Sequence, residues 1–569
     1  MATLKSSNAS AGRDSQPPPR ARRILLGLVV MFLGGCGLVY EYVLSTLATH
    51  LLGNSIEQFS LVIATMLFAM GISGLLQKHL DEHSNLEDIF IVVELCLAML
   101  GAASPFLLYL GFGYLTHFHL VLYGLAFTVG FLIGLEIPLL IRMNTRWRGA
   151  LKDNLGDVLS LDYVGALVGA LIWAFILLPQ ASLIDISLLL ASLNVGVAVL
   201  SIWLLWDWLV HPKRIFVLTA FTIVWIAGVH QVGPRLIESA RQHLYASPIQ
   251  LHEQSRFQDI VFTGQGQRLS LYLNGHLQFD SEDEYIYHEM LIHPAASVLP
   301  SGPKKVLILG GGDGLGVREV LKWSSVEHVT LVDLDERIID LAKNYPPLRL
   351  LNRGALLNPK AVTKIQATDL GTPKEVWQAS ETLPHALSGR KTKVAQVQTA
   401  ALDADGFLRD TTQQWDLIVA DFPDPSTPDI AKLFSLEFYM LVKRALLPGG
   451  VFVVQASSPY SNRASYWTVH DTLAHSGFQV VPLHAHVPTF GEWGWHVASL
   501  GPIKFGQMPK GLKYLKADVL TSAKIFPPNL TRPAGPPLVS TRIDPLIMRK
   551  YLKGEPLEGP SFFPGSAYR

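Results

Sequence analysis

The segment KKVLILGGGDGLGVREVLKW, residues Lys304–Trp323, joins an apolar run to a helical pattern through a glycine-rich turn. The run Val306–Leu309 is apolar at every position, which predicts a strand buried on both faces of a parallel sheet. The glycines after it allow the backbone to approach a ligand closely, and ligands bind at the carboxyl ends of such strands. The segment therefore predicts an α/β sheet with a binding site above this strand.

Strand and helix patterns alternate on the C-terminal side of this segment. HVTLVDLD precedes the helical pattern ERIIDLAKNY, and WDLIVAD precedes IAKLFSLEFYMLVKRAL, which the strand VFVVQAS follows after PGG. This order predicts a Rossmann-like, doubly wound and mostly parallel sheet over residues 286–500. The stretch 366–401 has no sheet period and predicts an inserted helix or loop.

The flanking segments differ in composition from the sheet. Residues 245–285 contain DIVFTG, LSLYLNG and HLQFD between glycine turns, which predicts a small β-hairpin domain. Residues 501–569 are rich in proline and glycine and predict an extension with a short helix at PLIMRKYL.

The N-terminal part of the chain is typical of a membrane protein. Charged residues make up 16% of the chain and the mean hydropathy is +0.29, both unusual for a fully soluble protein. Residues 1–22 predict a disordered basic lead, and residues 23–233 a transmembrane domain of about seven helices. The seven apolar runs are Ile24–Leu44, Phe59–Leu76, Ile89–Leu110, Leu120–Ile141, Val158–Leu178, Ile184–Leu205 and Ile215–Val232.

Loop charges alternate along these runs. Arginines precede the first run, and lysines or arginines follow the second, fourth and sixth, whereas GNSIEQ and PQASLID carry none. This alternation places the N-terminus in the cytoplasm, and seven crossings would then place the remainder of the chain outside.

Four acids lie inside the apolar runs. Glu41, Glu94, Glu136 and Asp162 would be costly to bury in a bilayer, so such acids usually face a bundle interior or a polar path. Two interpretations stay open: hydrogen bonding between helices, or a site for a cation such as a polyamine.

Composition excludes several classes of partner and site. The formal net charge is zero, which does not favour a nucleic-acid partner. The two cysteines, Cys36 and Cys96, lie in apolar runs, so neither a disulfide framework nor a cysteine metal site is expected.

The glycine-rich turn does not match a nicotinamide dinucleotide site. GxGxxG fits no register here, and Asp313 would repel a pyrophosphate. Asp333, at the end of the next strand, suits a ribose diol, with Asp335 as the better helix cap. Asp405, followed by Gly406, could accept from an adenine amino group, although Asp-Gly is also a common turn. Together these residues indicate a nucleoside without phosphate, such as an S-adenosyl compound.

The loop DFPDPSTP, residues Asp421–Pro428, places two carboxylates three residues apart after a buried strand. One interpretation is a proline-stiffened turn with acids that cap the next helix. Asp429 can take that capping role, which leaves Asp421 and Asp424 for chemistry.

Six blocks in order resemble the spermidine synthase (polyamine aminopropyltransferase) family: DEYIYHEMLIHP, VLILGGGDGLGVREV, VTLVDLDERII, DADGF, DLIVADFPDP and LFSLEFYMLVKRALLPGGVFVVQ. They cover roughly residues 257–499, and the apolar first half resembles the bacterial membrane-fused branch. The resemblance implies Asp421 as general base. It implies an acceptor site at Tyr287, His288 and Asp424, and a donor site at Gln258, Gly311, Gly312, Asp313, Asp333, Asp405 and Gly406.

The resemblance implies a function as well. An aminopropyl group would pass from decarboxylated S-adenosylmethionine to an amine, most simply putrescine, without a metal or other cofactor. The alternatives are an S-adenosylmethionine methyltransferase, and a polyamine transporter or sensor without turnover. The donor is made in the cytoplasm, so we expect an inner-membrane protein whose catalytic domain faces the cytoplasm. This placement conflicts with the seven-crossing count. The sequence is also compatible with a homo-oligomer.

The sequence departs from the family pattern at three places. Thr427 precedes Pro428 where the family has glycine, Phe490 replaces a tyrosine of the gate segment, and a segment is inserted before Asp403. These departures bear on the identity of the acceptor.

Overall fold

A computed structural model describes residues 20–52, 55–77, 85–148, 151–357 and 395–554. The chain forms two compact units, Met1–Ala246 and Ser247–Arg569.

Within its described residues, the first unit contains seven helices that are long and apolar enough to cross a membrane, the predicted number. The first already begins at Arg20, so residues 20–22 are helical rather than part of a lead, and residues 1–19 lie outside the described residues. The last extends ten residues past the predicted boundary at 233. The helices are α1 (Arg20–Leu52), α2 (Ser55–Leu76), α3 (Leu86–Tyr114), α4 (Phe118–Arg148), α5 (Leu151–Ile172), α6 (Leu183–Leu205) and α7 (Pro212–His243).

Helices α1 and α5 pack closely because glycines face each other. A Cβ atom at Gly165 would lie 1.6 Å from the backbone oxygen of Met31, and one at Gly169 would lie 2.7 Å from that of Gly35. Small residues allow this approach in helix pairs that lack a hydrophobic driving force. Large apolar side chains such as Leu120, Phe175 and Phe216 are exposed on the unit's surface.

The second unit begins with a four-stranded antiparallel sheet: β1 (Ile249–Gln254), β2 (Asp259–Thr263), β3 (Ser270–Leu273) and β4 (His276–Asp280). The sequence predicted the last three strands but not β1, whose IQLHEQ has little apolar content. The following helix, α8, begins at Glu284, just inside the boundary predicted for this domain.

The larger sheet has the predicted doubly wound order, β10-β11-β9-β8-β5-β6-β7. Five strands are parallel, and the hairpin β10–β11 adds an antiparallel edge. The strands are β5 (Lys305–Gly310), β6 (His328–Asp333), β7 (Gln396–Ala401), β8 (Trp415–Asp421), β9 (Leu446–Gln455), β10 (Gln479–Val487) and β11 (Gly491–Ser499).

Helices cover the sheet and leave an apolar core on each side of it. They are α8 (Glu284–Ser297), α9 (Leu315–Val320), α10 (Glu336–Asn344), α11 (Pro346–Leu351), α12 (Ala404–Asp410), α13 (Pro428–Ala431), α14 (Leu436–Ala445), α15 (Arg463–His475), α16 (Ala517–Ser522) and α17 (Leu546–Leu552). The last is the short helix predicted at PLIMRKYL.

Three predictions about this unit were wrong, at least in part. Residues 396–401 form β7, parallel to β6, rather than an inserted helix or loop, while residues 366–394 of that prediction lie outside the described residues. The helical segment 430–446 breaks at Ser435, whose hydroxyl accepts a hydrogen bond from the N–H of Phe438 and starts a new helix. Thr427 rather than Asp429 occupies the N-cap position of α13.

The C-terminal extension binds three buried acids of the sheet domain. Glu289 accepts hydrogen bonds of 2.8–2.9 Å from the N–H groups of residues 513–515. Asp471 is bound by Arg532 and by the N–H of Leu538, and Asp405 by Arg542. The extension is therefore part of the folded unit, which its proline and glycine content did not indicate.

Candidate active site

The glycine-rich turn and Asp421 meet at the carboxyl ends of β5 and β8. Gly310 is the register partner of Asp421. Gly310 and Gly311 have φ values of +81° and +65°, and a Cβ atom at Gly311 would lie 2.9 Å from the Asp421 Oδ2 atom. Both the left-handed backbone and the close approach require glycine, so the turn sets where the carboxylate lies.

Asp421 is paired with Tyr287 of α8. The tyrosine hydroxyl donates to Asp421 Oδ1 over 2.6 Å, and its side chain is buried. Burial raises the pKa of Asp421, while His288 and the Tyr287 hydrogen bond lower it. The charges of Asp424 and Asp313 also raise the pKa of the Tyr287 hydroxyl. Three acids therefore act on this one tyrosine.

Asp313, which the resemblance assigned to the donor site, directly follows the three glycines. Its Oδ1 atom accepts a 2.8 Å hydrogen bond from the N–H of Leu315 at the start of α9. Burial raises the pKa of Asp313 to about 6. The charge of His288 lowers this pKa, and the charge of Asp421 raises it further. A cation bound here would relieve that repulsion.

Asp333 ends β6 beside the same turn. Its carboxylate accepts 2.9 Å hydrogen bonds from the N–H groups of Gly312 and Asp335. Burial raises the pKa of Asp333 to about 6, and these hydrogen bonds lower it. Asp335 caps α10 as predicted and accepts a 2.8 Å hydrogen bond from Gln258, which joins the small sheet to this edge.

His288 is held by a buried chain of charges that the sequence did not indicate. Its Nδ1 atom lies 2.9 Å from Glu284 Oε2, and Arg318 donates to both oxygens of Glu284 over 2.8 Å. Burial opposes the charged imidazole, but Glu284 raises the pKa of His288 to about 9. The four-residue spacing of Glu284 and His288 on one helix was the available sequence signal.

Asp424 lies near the end of β9. Gln455 Nε2 and Ser457 Oγ are each 3.4 Å from its carboxylate oxygens, and Gln455 also donates to the Phe422 carbonyl. Ser457 has a φ of +63°, an uncommon conformation that often occurs at functional sites. Sequence reasoning missed both residues, although polar side chains directly after the apolar run VFVV were visible.

Comparisons with known proteins identify the family of this chain. The family described as "Spermine/spermidine synthase domain" matches residues 284–368 and 375–504. A polyamine aminopropyltransferase of Leptospira interrogans is 36% identical over 93% of this chain and 98% of its own length. One of Mycobacterium tuberculosis is 36% identical over 91% and 94%.

The chain belongs to the polyamine aminopropyltransferase family. The predicted resemblance is therefore confirmed, and the protein is an aminopropyltransferase. Among solved structures, a spermidine synthase "in Complex with Transition State Analogue AdoDATO" is 25% identical, with a TM-score of 0.39, over 49% of this chain and 85% of its own.

One residue expected at the donor site of this aminopropyltransferase has its carboxylate bound within the protein. Asp405 is on α12 and its side chain is 3% exposed, with its oxygens bound by Arg409 and Arg542. Asp403 comes two residues after the end of β7 and is 40% exposed, with Lys432 Nζ 3.2 Å from its Oδ1 atom. It caps α12 by accepting from the N–H of Gly406. The sequence assigned a donor role to Asp405 and none to Asp403, whereas in the structure α12 begins at Ala404 and the Asp405 carboxylate is bound by two arginines.

The gate segment of the aminopropyltransferase is the turn between β10 and β11. The N–H of Thr489 donates to Asp283 over 2.7 Å, which fixes this turn to the start of α8. The Phe490 ring lies 6.2 Å and the Trp495 ring 5.6 Å from the Tyr287 ring. These rings form an apolar wall beside the acids.

Proposed function

We propose that this aminopropyltransferase transfers the aminopropyl group of decarboxylated S-adenosylmethionine to putrescine, giving spermidine and methylthioadenosine. The observation that carries the proposal is the Tyr287 hydroxyl, which donates to Asp421 and lies within range of the charges of Asp313 and Asp424. Two cationic substrates repel each other, and a cluster of acids at one sheet edge offsets that repulsion.

Asp421 is proposed as the general base. An aliphatic amine with a pKa near 10.4 is protonated at neutral pH and cannot attack the carbon next to sulfur. Asp421 attracts the ammonium and takes one proton as the N–C bond forms and the C–S bond breaks. The electron pair of the C–S bond remains on sulfur, and methylthioadenosine leaves as a neutral thioether.

The donor is proposed to lie across β5, β6 and β7. Asp333 accepts from the ribose diol, Gly311 and Gly312 allow close approach, and Asp313 binds the propylammonium end. Since Asp405 is bound by two arginines, we assign the adenine amino group to Asp403. Gln258 is proposed to support the donor site indirectly, by donating a hydrogen bond to Asp335.

Asp313 is proposed to select the donor by charge. Ordinary S-adenosylmethionine carries a carboxylate at the end where Asp313 lies, and the two charges would repel. The decarboxylated compound presents only an ammonium.

The acceptor is proposed to lie between Asp424 and His288. Tyr287, Phe490 and Trp495 would cover its methylene chain, while Asp424 and Asp421 would bind its amino groups. Phe490 lies next to Tyr287, so its side chain is proposed to determine the length of the diamine that the acceptor site takes.

We further propose that the seven helices anchor the protein in the inner membrane with the catalytic unit in the cytoplasm, where the donor is made. This placement requires either that one helix does not cross the bilayer or that the N-terminus lies outside.

The test follows methylthioadenosine release by the purified full chain with decarboxylated S-adenosylmethionine and a series of diamines. We expect turnover with putrescine, and no methylated product when S-adenosylmethionine replaces the donor. Asp421→Asn should lower kcat by about 10²–10⁴, whereas Asp429→Asn, in the short helix α13 directly after this loop, should leave it unchanged. Full activity of Asp421→Asn would refute the assigned base, and turnover with other amines only would refute putrescine.

A further inference from the structure

Asp283 lies at the N-cap position of α8, but its carboxylate does not bind that helix. A residue at this position usually accepts a hydrogen bond from an N–H group in the first turn, whereas Asp283 makes no such bond within the described helix. Its Oδ2 atom accepts from the N–H of Thr489 over 2.7 Å, and its Oδ1 atom accepts from the Thr489 hydroxyl over 3.1 Å. Both oxygens are therefore directed to the turn between β10 and β11.

These two hydrogen bonds offset the burial of a charged group. Asp283 is 5% exposed, and burial raises the pKa of its carboxyl group. The N–H and the hydroxyl of Thr489 lower that pKa, the charge of Asp280 raises it and the charge of Arg268 lowers it. Hydrogen bonds to an ionised carboxylate are about twice as strong as those between neutral groups. The contact with Thr489 is therefore a strong one.

The turn that contains Thr489 lies beyond the strand pairing of its hairpin. The ladder of β10 and β11 ends at the pair Val487–Gly491, and β10 is the outer strand of the sheet. The N–H of Phe490 donates to the carbonyl of Val487 over 2.9 Å and closes the turn. This bond shapes the turn internally, whereas the Asp283 contact fixes it against another element.

Thr489 directly precedes Phe490, whose ring lies beside the proposed acceptor site. The Phe490 ring is 6.2 Å from the Tyr287 ring and 5.1 Å from the Trp493 ring. Tyr287 comes four residues after Asp283, in the first turn of the helix that Asp283 precedes. The aspartate therefore connects the backbone beside Phe490 directly to the helix that carries Tyr287.

We propose that Asp283 is a positioning residue that determines which length of diamine the acceptor site takes, because it holds Phe490 at a fixed distance from Tyr287. A ring held in place excludes a chain that is one methylene too long, whereas a ring that can move yields to it. An apolar pocket distinguishes substrates that differ by one methylene by about 10–200-fold. This role rests on the proposed acceptor site, and Asp283 acts there through Thr489 rather than by contact with the substrate.

The test measures methylthioadenosine release by the full-length enzyme with a series of linear diamines of increasing length. The selectivity of each variant is the kcat/KM of the best wild-type diamine divided by that of the diamine one methylene longer. We expect Asp283→Ala to lower this ratio by about fivefold or more and to leave the KM of the donor unchanged. Thr489→Val keeps the N–H but loses the hydroxyl, so it should lower the ratio by a smaller factor, and Thr489→Ser should preserve it.

Asp471→Ala is the matched control. Asp471 is also buried and also accepts from the N–H of a residue distant in sequence, Leu538, but it lies on α15 and does not bind the β10–β11 turn. Its replacement should leave the selectivity unchanged. Amide hydrogen exchange gives a readout besides turnover: the N–H of Thr489 should exchange faster in Asp283→Ala, and at the wild-type rate in Asp471→Ala.

Thermal unfolding of each variant establishes that it folds, and Thr489→Val decides the outcome if Asp283→Ala does not. Unchanged selectivity in the deciding variant, or an equal loss of selectivity in Asp471→Ala, would overturn the proposal. A wild type that prefers a diamine other than putrescine would refute the proposed substrate instead, and the comparison between variants would still test the role of Asp283.

Discussion

Asp313 is the residue at which function and stability conflict most directly. Its pKa of about 6 lies above the value of about 3.9 in an unfolded chain, so the folded state holds this proton more tightly. Stability therefore falls as pH rises from about 4 to 6 and stays lower above that range. The carboxylate is retained because the cationic donor needs it.

Asp313→Asn should accordingly stabilise the protein and inactivate it. At pH 7.5 we expect a gain on the order of 1 kcal/mol, because the amide carries no charge and its oxygen still accepts from Leu315. At pH 5 the gain should be about half as large, because the carboxyl group is then protonated in the folded state but still ionised in the unfolded state. Thermal unfolding of the full chain at both pH values measures this, and a gain at pH 5 that equals the gain at pH 7.5 would contradict it.

Tyr287 should act on the protonation of Asp421. Its hydrogen bond lowers the pKa of Asp421, so Tyr287→Phe should move the acidic limb of the kcat/KM profile to higher pH. Tyr285→Phe, two residues earlier on α8, should not move it. An unchanged limb in Tyr287→Phe, with kcat lowered alone, would mean that the tyrosine only packs against substrate.

At the scale of elements, the turn after β5 decides the position of the base. Gly311 needs a positive φ and leaves no room for a Cβ atom beside Asp421 Oδ2. Gly316, in α9, has only an ordinary contact of 3.8 Å with Ile308. We expect Gly311→Ala to lower kcat at least tenfold because a misplaced base loses its geometry. Gly316→Ala should retain activity, and comparable losses in both variants would refute this role of the turn.

The elements that could be predicted from sequence are those with a local pattern. Buried strands such as Val306–Leu309 and the acids directly after them needed no long-range information. Residues 396–401, QVQTAA, lack an apolar run, and their strand conformation comes from pairing with β6. Asp405 was assigned from an Asp-Gly pair, whereas the cap at Asp403 and the arginine from residue 542 depend on contacts distant in sequence.

At the scale of the whole molecule, a reporter fused after Arg569 decides the side of the membrane. We expect a fluorescent protein at this position to fold and fluoresce in the cytoplasm, and a periplasmic phosphatase to be inactive. The reverse pattern would mean that all seven helices cross with the N-terminus inside, as the loop charges indicate. The catalytic unit would then meet its donor outside the cytoplasm, which would refute the proposed placement.

The C-terminal extension has a consequence for the order in which the protein is synthesised. Glu289, Asp471 and Asp405 are buried, yet their partners come from residues 513–542, after the last strand ends at Ser499. At roughly 5–20 residues per second, these partners are translated about 1–9 s after the sheet. A nascent chain that has passed residue 504, where the family match ends, holds every proposed catalytic side chain but still has three buried acids without these partners. Transfer activity should therefore begin only after residue 542 has been synthesised.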